Sequence, residues 1–253
     1  MKIIFHKKFY NSDYADDGAS VPGRMESIMD KLTANGKYVF IEPQPASIMD
    51  IQRCHSAEMI EKEKNNEKRY EMALLSAGGA IMASESCIDG DPSFACIRPP
   101  GHHASRDTNW GYCVFCNMAI ALLRLREQGL IKSAFILDFD AHTGDGTKNI
   151  LSDWKECNIL NPMAEDNNAY MKVIEQYIKE VDHVDIVGVC AGFDSYVKDI
   201  GRKLETFDFY QMGFLMKILS KRMGHNRRFA ILEGGYYLPD LGKNALAFCN
   251  GFE

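Results

Sequence analysis

The chain is expected to fold as one α/β domain around a mostly parallel sheet, on three observations. Several short runs are apolar nearly throughout, as strands buried on both faces of a parallel sheet are. Helical patterns lie between them, and this alternation continues over the full length. No linker, repeat or low-complexity segment interrupts it, so residues 1–253 are read as a single domain.

The elements follow in order. "KIIFH" at 2–6, "KYVFI" at 37–41 and "SFACIR" at 93–98 are read as the first three strands. "RYEMALLSAGGAIMASESC" precedes the third and has a helical pattern. "CNMAIALLRLREQG" is a second helix, with Gly129 as its C-terminal stop. "SAFILDFD" at 133–140 is the fourth strand and "CNIL" at 157–160 the fifth. "AEDNNAYMKVIEQYIKEV" places Tyr170, Met171, Val173, Ile174, Tyr177, Ile178 and Val181 on one helix face. "VDIVGVCA" at 184–191 and "RFAILE" at 228–233 complete the strands, and Thr206 between them is placed as the N-cap of a further helix.

Composition narrows the function. Hydrophobic residues make up 46% and charged residues 25%, an ordinary globular balance. The net charge of -6 comes without a Lys/Arg stripe, which argues against nucleic acid as a partner. The opening "MKIIFHKKF" has too short an apolar run for a signal peptide, no segment is long enough to span a bilayer, and a cytoplasmic location is expected. The eight cysteines suit that setting; Cys113 and Cys116 form a lone C-x-x-C, read as two buried thiols rather than half of a zinc knuckle.

Ligands of open α/β sheets bind beyond the carboxyl ends of the strands. Four polar clusters fall there: "RPPGHHA" after the third strand, "DFDAHTGDG" after the fourth, "AGFDS" after the sixth and "EGGYY" after the last. Alternation along a strand points Asp138, Asp140 and His142 into one cleft. Two carboxylates and an imidazole suit a divalent transition metal, although alone they equally suit helix capping beside a loop histidine. Asp194 tips the balance, because a carboxylate ending an apolar strand is costly without a partner. Asp140, His142 and Asp194 form a three-ligand set with an open position, the catalytic pattern. His102 and His103 offer a general base and acid with a charged neighbour, and Asp138 and Asp145 are near enough in sequence to orient them. Tyr236 is either an oxyanion donor or a wall residue.

Together these motifs resemble the arginase–deacetylase superfamily, and within it the zinc-dependent histone deacetylase and acetylpolyamine amidohydrolase family. "PGRMESI", "HSAEMIEK", "RYEMALLSAGGA", "RPPGHHA", "GYCVFCN", "AGFD" and "LEGGYYL" carry the likeness over almost the whole chain. It implies a three-layer α/β/α fold with about eight strands and one zinc on Asp140, His142 and Asp194. It implies His103 as base and acid, His102 as its electrostatic neighbour, Asp138 and Asp145 as their orienting carboxylates, and Tyr236 as the oxyanion donor. Gly111, Tyr112 and Gly235 match the substrate wall, with Tyr112 where the family usually has Phe. Asp138, with the carbonyls of Asp140 and His142, matches a monovalent-cation site, usually potassium. Arg24 matches an arginine lining an internal channel.

The chain also departs from that pattern. Thr143 replaces a histidine, which puts local packing in doubt. "NILNPMAEDNNA" is short and lacks the family's Phe-Pro-Gly stretch and a serine of the cation site. The loop at "KNNEK" has no rim aspartate, so a shallow, open mouth is expected, with Ile200 near the place of a polyamine gatekeeper. The sequence therefore points to an amidohydrolase for acetyl-lysine, acetylpolyamines or other small N-acyl amines. The alternatives are a binuclear ureohydrolase, opposed by Gly144 and by the lack of D-x-D after Asp194, and a binding module without turnover, opposed by intact His103 and Tyr236.

Overall fold

The computed structural model describes residues 1–253. Its strands are β1 (Lys2–Ile4), β2 (Val39–Ile41), β3 (Ser93–Ala95), β4 (Ala134–Asp138), β5 (Cys157–Leu160), β6 (Ile186–Ala191) and β7 (Arg228–Leu232). They form one sheet in the order β2-β1-β3-β7-β6-β4-β5, parallel at every pairing. The sheet has seven strands, one fewer than the resemblance implies, and no antiparallel member. The four central strands are buried along their whole length, which is why β4, β6 and most of β7 and β3 read as unbroken apolar runs.

Nine helices cover the sheet: α1 (Arg24–Ala34), α2 (Ile48–Gln52), α3 (Ala57–Lys64), α4 (Glu67–Ser86), α5 (Asn117–Glu127), α6 (Asp145–Ile150), α7 (Asn167–Glu180), α8 (Thr206–Arg222) and α9 (Leu238–Phe252). They fall into two packing groups, α4 with α5 and α3, and α9 with α1 and α8, which gives the α/β/α layering. In α7 the expected face is the inner one, with Tyr170, Met171, Ile174 and Ile178 buried. Gly129, at φ 70°, ends α5 as its position suggests.

Thr206 is not the cap of α8. Glu205 occupies that place and its N–H donates to Asp208 Oδ2 at 2.7 Å, while the Thr206 hydroxyl is used to tie α8 to Asn244 of α9 at 2.7 Å. No helix is long and apolar enough to cross a membrane. All eight cysteines are free thiols, and Cys113 and Cys116 are both buried.

The sheet order has a functional consequence. β3, β7, β6 and β4 are neighbours, and because all strands are parallel their carboxyl ends share one edge. The four polar clusters, scattered over more than half the sequence, therefore meet there. From β3 the chain crosses three places to β4, past the positions that β6 and β7 fill later, and a crevice opens beyond the carboxyl ends of these strands.

Candidate active site

Each strand stops just where the polar residues begin. β4 leaves the ladder at Asp138, so Asp140 and His142 sit on the loop before α6. Asp194 lies in a single 3-10 turn, Phe193–Ser195, after β6. His102 and His103 follow β3, and Tyr236 follows β7. These loops surround a cavity of about 240 Å³ whose wall includes His102, His103, Trp110, Gly111, Tyr112, Asp140, His142, Ile200, Gly234 and Tyr236. A larger recess of about 390 Å³ between the N-terminal segment and α4 holds no comparable set of ligating groups.

The ligating atoms of Asp140, His142 and Asp194 all lie within 4.8 Å of one another. His142 Nδ1 is 3.0 Å from Asp140 Oδ1 and 3.1 Å from Asp194 Oδ2. The other oxygens of the two carboxylates are fixed by backbone donors: Gly234 N–H to Asp140 Oδ2 at 2.9 Å, and Ala141 N–H to Asp194 Oδ1 at 2.9 Å. Asp194 Oδ2 is buried and faces His142 Nδ1, which it shares with Asp140 Oδ1.

The electrostatics describe the same crowding of charge. Burial, then the charge of Asp140, push the Asp194 carboxyl up to about 7. Burial alone would raise Asp140 too, but the charge of His102 and the donors of His142 and Gly234 outweigh it and hold it low. Hydrogen bonds to Asp140 and Asp194 raise His142 to about 10. Two buried carboxylates thus share one imidazole nitrogen, a concentration of negative charge that favours a cation. A divalent cation held there would supply positive charge, and the N,O,O donor set suits zinc.

Both tandem histidines face carboxylates. His102 Nδ1 lies 3.2 Å from Asp138 Oδ2, and both groups are almost fully buried. His103 Nδ1 lies 2.6 Å from Asp145 Oδ1, whose side chain is half exposed. Burial and the positive charge of His102 lower His103, against the pull of Asp145. For His102, burial is outweighed by Asp140 and Asp138, which raise its proton affinity well above the usual range. Tyr236 is held protonated, chiefly by burial.

The remaining expected residues take definite places. Gly111, at φ 60°, lies so close to His103 that a Cβ would stand 2.6 Å from its Cδ2. Tyr112 has φ 70°, unusual for a bulky side chain, and its ring stands edge-on to Tyr236 with centroids 5.9 Å apart. Gly234, rather than Gly235, lines the cavity; the Gly235 carbonyl is turned away and accepts from Arg24 Nε at 2.9 Å. Arg24 is fully buried beneath the floor, with its Nη1 unpaired. Thr143 is exposed, so the exchange there leaves the packing intact. A Cβ on Gly144 would fall 2.1 Å from Asp138 Oδ2, leaving no room for the aspartate a second metal would need. The rim is short: only residues 65 and 66 separate α3 from α4, and only 161–166 separate β5 from α7.

Three residues of the site carry no role in the sequence reading. Trp110 stacks on His103 and donates from Nε1 to Asp145 Oδ2 at 2.9 Å. Its loop has no periodicity to mark it. Glu233 is fully buried, and its Oε2 accepts from Gly101 N–H at 2.7 Å and His102 N–H at 3.2 Å. Asp199 Oδ2 accepts from the N–H groups of Tyr236 and Tyr237 at 2.6 and 2.7 Å. Glu233 gave the same signal as Asp194, an acid ending an apolar strand.

The family model of the histone deacetylase domain matches residues 19–170. A probable deacetylase of Archaeoglobus fulgidus is 28% identical over 99% of this chain and 86% of its own length. A histone deacetylase-like amidohydrolase of Pseudomonas aeruginosa is 25% identical over 87% of this chain and 72% of its own. Among solved structures, an acetylpolyamine aminohydrolase from Burkholderia pseudomallei superposes with a TM-score of 0.87 at 21% identity, covering 100% of this chain and 98% of that one. The HD domain of HDA15 superposes with a TM-score of 0.86 at 20% identity over 99% and 88% of the two chains. At those identities the structural likeness is one of fold.

Proposed function

The chain belongs to the histone deacetylase family, and from that premise we propose that it is a zinc-dependent amidohydrolase removing acetyl, or other acyl, groups from amines such as acetyl-lysine and acetylpolyamines. The observation that carries the reading is the convergence on one cavity of the Asp140–His142–Asp194 cluster, the His103–Asp145 pair and Tyr236.

When bound at Asp140, His142 and Asp194, zinc supplies Lewis acidity, polarising the acyl carbonyl and acidifying a water beside it. His103 takes the proton of the attacking water at Nε2, because Nδ1 is turned to Asp145. The Tyr236 hydroxyl, protonated at working pH, donates to the carbonyl oxygen as negative charge builds on it. His102, anchored on Asp138, contributes positive charge close by. His103 then returns its proton to the nitrogen of the departing amine, leaving acetate and the free amine.

A monovalent cation, usually potassium in the family, is assigned to Asp138 and the carbonyls of Asp140 and His142. Support comes from Asn161, which stands at the start of the short segment lacking the serine. Its Nδ2 reaches the Asp138 carbonyl at 3.3 Å, and its buried Oδ1 has no partner, as an oxygen waiting for a cation would. The short rim favours small or flexible substrates with little dependence on flanking peptide sequence. Assaying a panel of acyl-lysine peptides and acetylpolyamines with metal-quantified protein tests the whole reading; it fails if none is hydrolysed.

A further inference from the structure

The two histidines differ in how their carboxylate partners are held. Asp138, beside His102, has a side chain only 1% exposed and is fixed by packing. Asp145, beside His103, has a side chain 50% exposed and sits at the start of the six-residue helix α6, at the cavity's edge. A carboxylate so open to water rotates freely unless its second oxygen is occupied.

Trp110 occupies that oxygen. Its indole stacks on the His103 ring, with centroids 3.7 Å apart and planes 29° apart. Its single polar atom, Nε1, donates to Asp145 Oδ2 at 2.9 Å, while Asp145 Oδ1 faces His103 Nδ1 at 2.6 Å. The carboxylate thus bridges two rings that also stack on each other, a closed triangle in which no member turns alone. Core formation does not explain the residue, because Trp110 is 54% exposed.

We infer that Trp110 is a positioning residue for the proton-transfer step, fixing the His103–Asp145 pair from within its own loop; the inference rests on the amidohydrolase reading. Positioning of this kind acts on kcat, whereas a tryptophan that only walls the substrate path acts on KM.

The test uses zinc-loaded protein and an acetyl-lysine substrate. Trp110→Phe keeps an aromatic face and removes the N–H; Trp110→Ala removes both. The expected result is a fall in kcat of about tenfold for Trp110→Ala and a smaller fall for Trp110→Phe, with metal content unchanged and KM within about twofold. In an Asp145→Asn background, Trp110→Phe adds little further loss, because the two changes break one unit. Unchanged kcat in both variants, an effect confined to KM, or full additivity with Asp145→Asn overturns the inference.

A measurement without turnover separates this from failure of the function. The chain has two tryptophans, Trp110 and Trp154. In heteronuclear NMR spectra, Asp145→Asn is expected to shift the indole N–H signal that Trp110→Phe removes. If the protein hydrolyses no acyl-amine, the functional reading falls, and an unmoved indole signal overturns the role of Trp110 independently.

Discussion

Replacing Glu233 by Gln should stabilise the metal-free protein, and by an amount that grows with pH. The glutamate is fully buried at the end of β7. Its Oε2 already serves Gly101 and His102 N–H, and Gln keeps that acceptor in the same shape. Its Oε1 is buried without a donor. Burial, opposed by His102 and the Gly101 N–H but reinforced by the charges of Asp138 and Asp140, raises the carboxyl from 4.5 to about 7. A folded-state pKa raised above the unfolded one means that the stability it confers is complete below pH 4.5 and is lost as pH rises through 7. The displacement is worth roughly 3 kcal/mol once the group is ionised in both states, as an upper bound. Urea unfolding of chelated wild-type and Glu233→Gln protein at pH 5 and pH 8 measures it. The variant should gain little at pH 5 and about 1–3 kcal/mol at pH 8. An equal difference at both pH values, or a variant less stable than wild type at pH 8, would refute the reasoning.

Further outcomes are expected. Tyr236→Phe should bind metal normally yet lose on the order of a hundredfold or more in kcat, the usual consequence of removing an oxyanion donor; near-normal kcat would remove Tyr236 from the mechanism. Metal analysis should find one transition metal per chain, lost in Asp140→Ala and Asp194→Ala. Zinc at about a hundred times its Kd should stabilise wild type by about 2.7 kcal/mol and leave Asp194→Ala unmoved. Because the Asp194 carboxyl is raised to about 7, its contribution to the metal-free fold is present in acid and lost as pH climbs through 7, so chelation should cost most above that value. Finally, kcat/KM for an acetylpolyamine should stay within about a thousandfold of that for a simple acetyl-lysine substrate, since the apolar Ile200 lines the cavity near the expected place of a gatekeeping acid; a larger ratio would contradict the open-mouth account.

The sheet was legible because its central strands carry almost nothing but apolar residues, and the site because acids and histidines ended those runs. The same feature blurred the strand ends. Phe139, Asp140 and Glu233 continue the apolar pattern or its alternation, yet the ladder ends at Asp138 and Leu232 so that the chain can turn side chains inward. Asp194 was legible because a carboxylate after "VGVCAGF" is more simply a ligand than a helix cap. Glu233 is equally exceptional as an acid ending an apolar run, but its partners, Gly101 and His102 N–H, lie far off in sequence. Asp199 and Trp110 act on backbone and on a neighbouring side chain through contacts made only in three dimensions. Thr206 shows the opposite error, a good capping residue whose hydroxyl is taken by Asn244. The helix α9 packs against both α1 and α8, contacts made only in the fold.

The most direct test of the account is acetate release from an acetyl-lysine peptide by chelated protein titrated with zinc. Activity should rise with zinc, saturate at one equivalent per chain and vanish in His103→Ala while that variant still binds the metal. Release that is independent of metal, or a requirement for two ions per chain, would contradict it.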